Sequence, residues 1–221
     1  MARFAVAEKF VSINGEGAKA GELAVFLRFC KCNLNCGYCD TRWANSEAVK
    51  AEYMTAEELL KYVKATGVKN VTLTGGEPLL QGDIARLLTL LVEEGADVEI
   101  ETNGSMPVRA LKELLPALSF TVDYKLPSSG MESHMLVENF AYLSSCDTVK
   151  FVAGDRADLI RAEEVIKKFG LVEKCRVYLS PVFGQIDPEK IVEFMKEKKL
   201  NGVRLQLQLH KFIWKPDERG V

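Results

Sequence analysis

Short apolar segments recur along this chain, each separated from the next by an amphipathic helical stretch, and that alternation constrains the fold more than any other feature. The strand-like segments are Asn70–Thr74, Asp97–Glu101, Phe120–Tyr124, Thr148–Val152, Arg176–Leu179 and Val203–Leu209. Two longer apolar runs, Phe4–Ile13 and Leu23–Phe29, precede them as a pair. The first helix opens at the capping box Thr55-x-x-Glu58, runs to about Ala65 and is closed by Gly67. Further helices are expected over Asp83–Glu94, Val108–Leu114, Leu136–Ser145, Ala157–Phe169 and Pro188–Lys199. Strands joined through helices of this length pair in parallel by right-handed crossovers. The number of units predicts an α/β fold, a partial TIM-like β/α barrel with its chemistry at the C-terminal ends of the strands. Val108–Leu114 is short and bracketed by Pro107 and Pro116, so the barrel is expected to be incomplete.

At 221 residues and 48% hydrophobic, the chain can bury one large core, and a single domain over residues 1–221 is expected. Its 29 basic and 31 acidic residues are interspersed and nearly cancel, which argues against a surface that reads nucleic-acid phosphates. No apolar stretch approaches membrane-spanning length. The opening residues lack the apolar core of a secretion signal, so a cytoplasmic location is expected.

Cys32, Cys36 and Cys39 form a C-x3-C-x2-C cluster directly after the apolar run Leu23–Phe29. A structural zinc site needs four ligands, usually two pairs. The chain offers two isolated histidines, His134 and His210, and no second cysteine pair. Cys30 would complete only a cramped local set. A disulfide framework is disfavoured as well, because six cysteines in a chain of this length are sparse and a reduced compartment is expected. The spacing therefore favours a [4Fe–4S] cluster held by three thiolates, leaving one iron open to a small molecule.

Polar residues gather at the predicted strand ends. Thr74-Gly75-Gly76-Glu77-Pro78 follows the first helix-linked strand, and Glu101-Thr102-Asn103-Gly104 follows the next. Asp123-Tyr124-Lys125, Lys150, Ser180-Pro181 and then Gln206, Gln208, His210 and Lys211 occupy the later ones. Any one of these has an ordinary explanation as turn chemistry. Their coincidence on one face of one barrel, beside the cysteine loop, favours a site.

These residues resemble the radical S-adenosylmethionine (SAM) superfamily and, within it, the 7-carboxy-7-deazaguanine synthase family of queuosine and archaeosine biosynthesis. The resemblance covers nearly the whole chain. It is carried by Ser12-Ile13-Asn14-Gly15-Glu16-Gly17, by Val25–Phe29 with Arg28, by the cysteines with Asp40-Thr41, by Thr74–Gln81 and by Gln208-Leu209-His210-Lys211.

The resemblance implies that Cys32, Cys36 and Cys39 ligate the cluster and that SAM occupies the open iron. Gly76, Glu77, Asn103, Asp123, Tyr124, Lys125, Ser180, Pro181, Val182 and Phe183 would then contact SAM. The implied substrate is 6-carboxy-5,6,7,8-tetrahydropterin. Ile13, Asn14, Gly15, Glu16, Thr74 and His210 would read it, and the planar fork of Arg28 would take its carboxylate. Hydrogen abstraction, radical ring contraction and loss of ammonia would give 7-carboxy-7-deazaguanine.

The resemblance also implies Mg²⁺ at Thr41. One hydroxyl is a poor Mg²⁺ site, so substrate and water would have to supply most of the ligands. An electron donor of flavodoxin or ferredoxin type and a homodimer are further implications. Asn14 stands where many members have glutamine, and Ser180-Pro181 where a Gln-Pro form is expected. The tail Phe212–Val221 extends past the shortest family pattern, and is expected to close over the site or pack on a partner subunit. Cys146 and Cys175 are expected to be buried thiols, and His134 a surface residue. Two alternatives stand beside this reading: an activase that makes a glycyl radical on a partner protein, and a ferredoxin-like or zinc-binding module.

Overall fold

The computed structural model describes residues 2–46, 48–216 and 218–221. One nine-stranded sheet organises them. Its strands are β1 (Phe4–Ile13), β2 (Leu23–Phe29), β3 (Glu52–Met54), β4 (Asn70–Gly75), β5 (Asp97–Thr102), β6 (Ser119–Tyr124), β7 (Thr148–Ala153), β8 (Arg176–Pro181) and β9 (Val203–Leu205). Across the sheet they run β3-β1-β2-β4-β5-β6-β7-β8-β9. β1 pairs antiparallel with both β2 and β3, and every pairing from β2–β4 onward is parallel. The sheet curls without closing, the partial barrel expected from the alternation.

Helices cover the outer face: α1 (Ala56–Thr66), α2 (Ile84–Glu93), α3 (Arg109–Leu114), α4 (Arg156–Phe169) and α5 (Pro188–Lys198); a single late turn, α6 (His210–Ile213), lies instead at the mouth of the interior. The Thr55 capping box forms as read, with Glu58 N donating to the hydroxyl at 3.2 Å and Thr55 N donating to the Glu58 carboxylate at 2.8 Å. Gly67 closes α1 in the left-handed region at φ 70°.

Residues alternate along the parallel strands, as a pleat requires. Val71, Leu73, Val98, Ile100, Phe120, Val122, Val149 and Phe151 are buried in the core shared with Leu59, Leu88, Leu91, Val165 and Phe194 of the helices. Each such side chain stabilises the fold by about 1.5–3 kcal/mol relative to exposure. The intervening residues, Thr72, Thr74, Glu99, Thr121 and Lys150, are buried but polar. One face of the sheet therefore holds the fold together, and the other lines a polar interior.

Three local expectations change. Leu136–Ser145 is not an α-helix; only a 3₁₀ segment, Val137–Ala141, forms there. Asn139 turns inward, accepting from Val108 N at 3.1 Å and donating to Met106 O at 2.9 Å, while Asp147 holds Ser144 N at 2.8 Å. These side-chain bonds compete with a helical ladder. The last strand stops at Leu205, because after Gln206 N meets Leu179 O the chain leaves β8 and Leu209 N bonds Gly15 O at 3.0 Å. β3 has no apolar alternation to announce it; its Glu52 and Tyr53 are exposed on the sheet edge.

Candidate active site

A cavity of about 490 Å³ opens at the C-terminal ends of the parallel strands. Cys32, Cys36 and Cys39 all line it. Leu34 N and Asn103 Nδ2 approach the Cys32 sulfur at 3.4 and 3.5 Å, contacts that suit a thiolate. Burial pushes the Cys36 and Cys39 thiols above their ordinary range, with the Lys125 ammonium opposing this at both. Among the described residues no three side chains of His, Cys, Asp or Glu converge on one ion position. A zinc ion draws its ligands to one point; in a [4Fe–4S] cluster three different irons would each take one cysteine thiolate besides the cluster's own sulfides.

The GGEP segment seats this loop. Gly76 N donates to Phe29 O at 3.0 Å and Glu77 N to Lys31 O at 2.8 Å. A Cβ on Gly76 would sit 1.9 Å from Lys31 O, and one on Gly75 would sit 2.3 Å from Phe29 O, where φ is already 131°. Glycine is required at both positions, and the two strand ends pack backbone on backbone. Glu77 itself lies behind the wall, fully buried. Its carboxylate accepts from Leu79 N, Thr102 Oγ1 and Asn103 N at 3.0, 2.9 and 2.7 Å, which ties the ends of β4 and β5 together. Burial raises its pKa and these bonds oppose the shift.

Charged side chains from neighbouring strands meet in the interior. Lys150 of β7 lies 3.1 Å from Glu16 and 3.8 Å from Asp123, and Lys125 lies 2.8 Å from Asp123. Burial works against the charge on Lys150, but Glu16 and Asp123 overcome it and hold its pKa above the ordinary lysine range. Glu16 Oε1 and Asp123 Oδ1 are buried without a hydrogen-bond partner, so each has an acceptor left for a ligand's donor. Thr74 donates to Glu101 at 2.7 Å.

Near the mouth, Arg28 Nε donates to Glu8 at 2.7 Å, leaving the terminal edge of the guanidinium for a ligand. Thr41 donates to Asp40 at 2.9 Å, and Lys211 donates to the other Asp40 oxygen at 3.0 Å. Asp40 is exposed at the mouth, and Lys211 beside it holds its carboxyl below the ordinary aspartate range. Burial lowers the pKa of His210, which favours the neutral ring. A Cβ on Gly15 would stand 2.2 Å from His210 Nδ1, so the bare glycine lets the ring lie against β1's following loop.

The cavity brings together most of the residues marked in the sequence. Gly76, Asn103, Asp123, Lys125, Val182 and Phe183 line it. So do Ile13, Gly15, Glu16, Arg28, Thr74 and His210, together with Thr41. Others stand behind the wall. Asn14 is buried against Thr72, which donates to it at 2.9 Å; Tyr124 turns into the core and donates to Glu132 at 2.9 Å. Ser180 and Pro181 are buried within β8. Cys30 and Cys175 are buried, but Cys146 is exposed, beside Lys112 at the far end of β7. His134 is exposed as expected.

Sequence reasoning missed Glu8, Tyr38, Trp43, Asn45 and Thr121 as lining residues. Glu8 had a signal, since strand alternation puts it on the same face as Phe10. The others depend on how the cluster loop folds back. Among the described residues no helix is long and apolar enough to cross a membrane.

The family model described as the radical SAM superfamily matches residues 27–128. The 7-carboxy-7-deazaguanine synthase of Clostridium acetobutylicum is 56% identical over 99% of both chains. That of Chlorobaculum tepidum is 38% identical over 98% of this chain and 96% of its own. The crystal structure of QueE from Escherichia coli superposes with a TM-score of 0.76 at 24% identity, covering 93% of this chain and 94% of that one, which supports the fold. The cysteine wall, the glycine seat beneath it and this full-length likeness lead to one assignment: the chain belongs to the 7-carboxy-7-deazaguanine synthase family of radical SAM enzymes.

Proposed function

We propose that the protein converts 6-carboxy-5,6,7,8-tetrahydropterin to 7-carboxy-7-deazaguanine with loss of one ammonia. The observation that carries this reading is the shared cavity, which Cys32, Cys36 and Cys39 line together with Arg28, Glu16, Thr74 and His210. Cys32, Cys36 and Cys39 would hold a [4Fe–4S] cluster, and Gly76, Asn103, Asp123, Lys125, Val182 and Phe183 would hold SAM. When bound, these groups supply a carbon-centred radical that takes a hydrogen atom from the substrate.

The chain's own work is positioning and charge placement. Arg28 presents its terminal edge to the substrate carboxylate while Glu8 fixes its other edge. Glu16 offers its unpartnered oxygen to ring N–H donors, while Lys150 engages its other oxygen at 3.1 Å. Neutral His210 can donate one ring hydrogen and accept at the other nitrogen. Thr74 directs its hydroxyl proton to Glu101, which leaves its oxygen free to accept.

The proposal includes Mg²⁺ at Thr41. Its hydroxyl proton goes to Asp40, so its lone pairs face outward, and the substrate and water complete the ligand set. It also includes one domain, a homodimer, an electron donor of flavodoxin or ferredoxin type, and a reducing cytoplasm, the last supported by six free thiols. The activase alternative has no support among relatives named for a small-molecule synthase.

The test is anaerobic reconstitution with iron and sulfide, followed by assay of 7-carboxy-7-deazaguanine with and without the carboxypterin. Substrate-dependent product is expected, and its absence overturns the reading. Thr41→Ala should abolish the Mg²⁺ dependence of turnover; an unchanged dependence removes the metal from the proposal.

A further inference from the structure

The cations on the cavity wall have unequal claims on an incoming anion. Arg28 pairs with Glu8 at 2.7 Å, Lys125 with Asp123 at 2.8 Å, Lys211 with Asp40 at 3.0 Å and Lys150 with Glu16 at 3.1 Å. Arg219 lines the same cavity and, among the described residues, has no carboxylate within ion-pair distance. Glu218 lines the cavity beside it without forming such a pair.

Arg219 is nonetheless held. Its guanidinium carbon stands 4.0 Å from the centroid of the Trp43 ring. Stacking of this kind engages the flat face of the guanidinium and leaves its N–H edges free to donate in the plane. Trp43 follows Asp40-Thr41 on the cluster loop, so the stack stands on the side of the mouth where Lys211 meets Asp40. The tail turns through the helical bond from Trp214 N to His210 O at 3.0 Å and meets the wall in the edge-on contact of Phe212 with Phe183.

We infer that Arg219, stacked on Trp43, is a specificity-determining residue that binds the carboxylate of the substrate jointly with Arg28. This rests on the functional reading above, in which the substrate is a flat ring bearing one carboxylate. The Arg28 charge is already paired with Glu8, and a metal at Thr41 would supply charge without a directional fork. Arg219 brings a second positive charge that has a planar fork. Two planar forks facing one carboxylate distinguish it from an uncharged ring of the same shape.

The experiment uses the reconstituted enzyme and two inert probes, 6-carboxypterin and unsubstituted pterin, in equilibrium dialysis, alongside turnover of the carboxytetrahydropterin. Wild type should prefer 6-carboxypterin. Arg219→Gln should weaken 6-carboxypterin binding by about tenfold or more while leaving pterin binding in place, and should raise KM with kcat within a few-fold. Arg219→Lys should recover only part of the preference, since it keeps the charge and loses the planar fork. An unchanged preference and KM in Arg219→Gln overturns the inference and leaves the functional reading standing. Equal loss of both probes also overturns it, because that would mean the tail only shapes the cavity. Wild type that neither binds nor converts the carboxylated ring overturns both.

Discussion

Replacing Glu99 by glutamine should stabilise the protein at neutral and alkaline pH, and progressively less as the pH falls. Glu99 points into the barrel from β5 with 4% of its surface exposed. It accepts from Thr121 Oγ1 at 2.5 Å and stands near Glu101 of its own strand, with Lys19 and Lys150 as the facing cations, neither within ion-pair distance of it. Burial is the largest influence and pushes its pKa up to about 7, from an ordinary 4.5. An acid whose pKa is raised by folding costs stability wherever the unfolded chain would ionise it. Below pH 4.5 both states hold the proton and the cost vanishes. Above pH 7 both are ionised, and the cost levels off at about 3 kcal/mol. Near pH 6 it stands at about 2 kcal/mol. Glutamine removes this cost, and whatever it changes in the Thr121 hydrogen bond is independent of pH. Urea unfolding of the reduced protein from pH 5 to 8.5, wild type against Glu99→Gln, reads the difference directly. A gain that rises with pH and flattens above 7 is expected; a flat difference, or one that shrinks as pH rises, refutes the argument.

Two further outcomes follow from the geometry. Gly76→Ala should lower the iron bound per chain after reconstitution while Gly82→Ala does not, because a Cβ at residue 76 collides with Lys31 O and one at residue 82 meets nothing within 4 Å; equal iron content in both would remove the seat from the explanation. Lys150→Met should reduce unfolding free energy by about 3–5 kcal/mol, the range for stripping one partner from a buried ion pair. Lys150→Met with Glu16→Gln should recover part of that loss, and a double variant no better than the single would mean that the pair is not coupled.

The parallel strands and their polar ends were legible because each strand carries two messages, an apolar face for the helices and a polar face for the interior. The cysteine spacing and the paired glycines were legible for a similar reason: few backbones need them. What was hidden depends on partners distant in sequence. The residues 136–145 have helical periodicity, and only the inward turn of Asn139 and the reach of Asp147 cancel it. Glu77 is fully buried and accepts from Leu79 N, Thr102 and Asn103, a bracing of the two strand ends that the sequence does not announce. Arg28 was visible as a fork, but Glu8, which occupies one of its edges, belongs to a strand whose polar residues are easily taken for surface. Trp43 and Arg219 lie far apart in sequence, and no local pattern announces their meeting.

Gln206 joins the loop after β1 twice, its amide donating to Gly17 O and its oxygen accepting from Gly17 N, both at 2.9 Å across 189 positions. During synthesis on a ribosome, the cysteine loop and the strands beside it emerge long before that stitch can be made. The pocket is thus a late product of folding, whereas the thiols are among its first exposed groups. A nascent chain would present them unshielded to oxygen and to stray metal until its final segment is released. Iron and sulfide arriving after release would meet a chain already joined along its open seam by this connection.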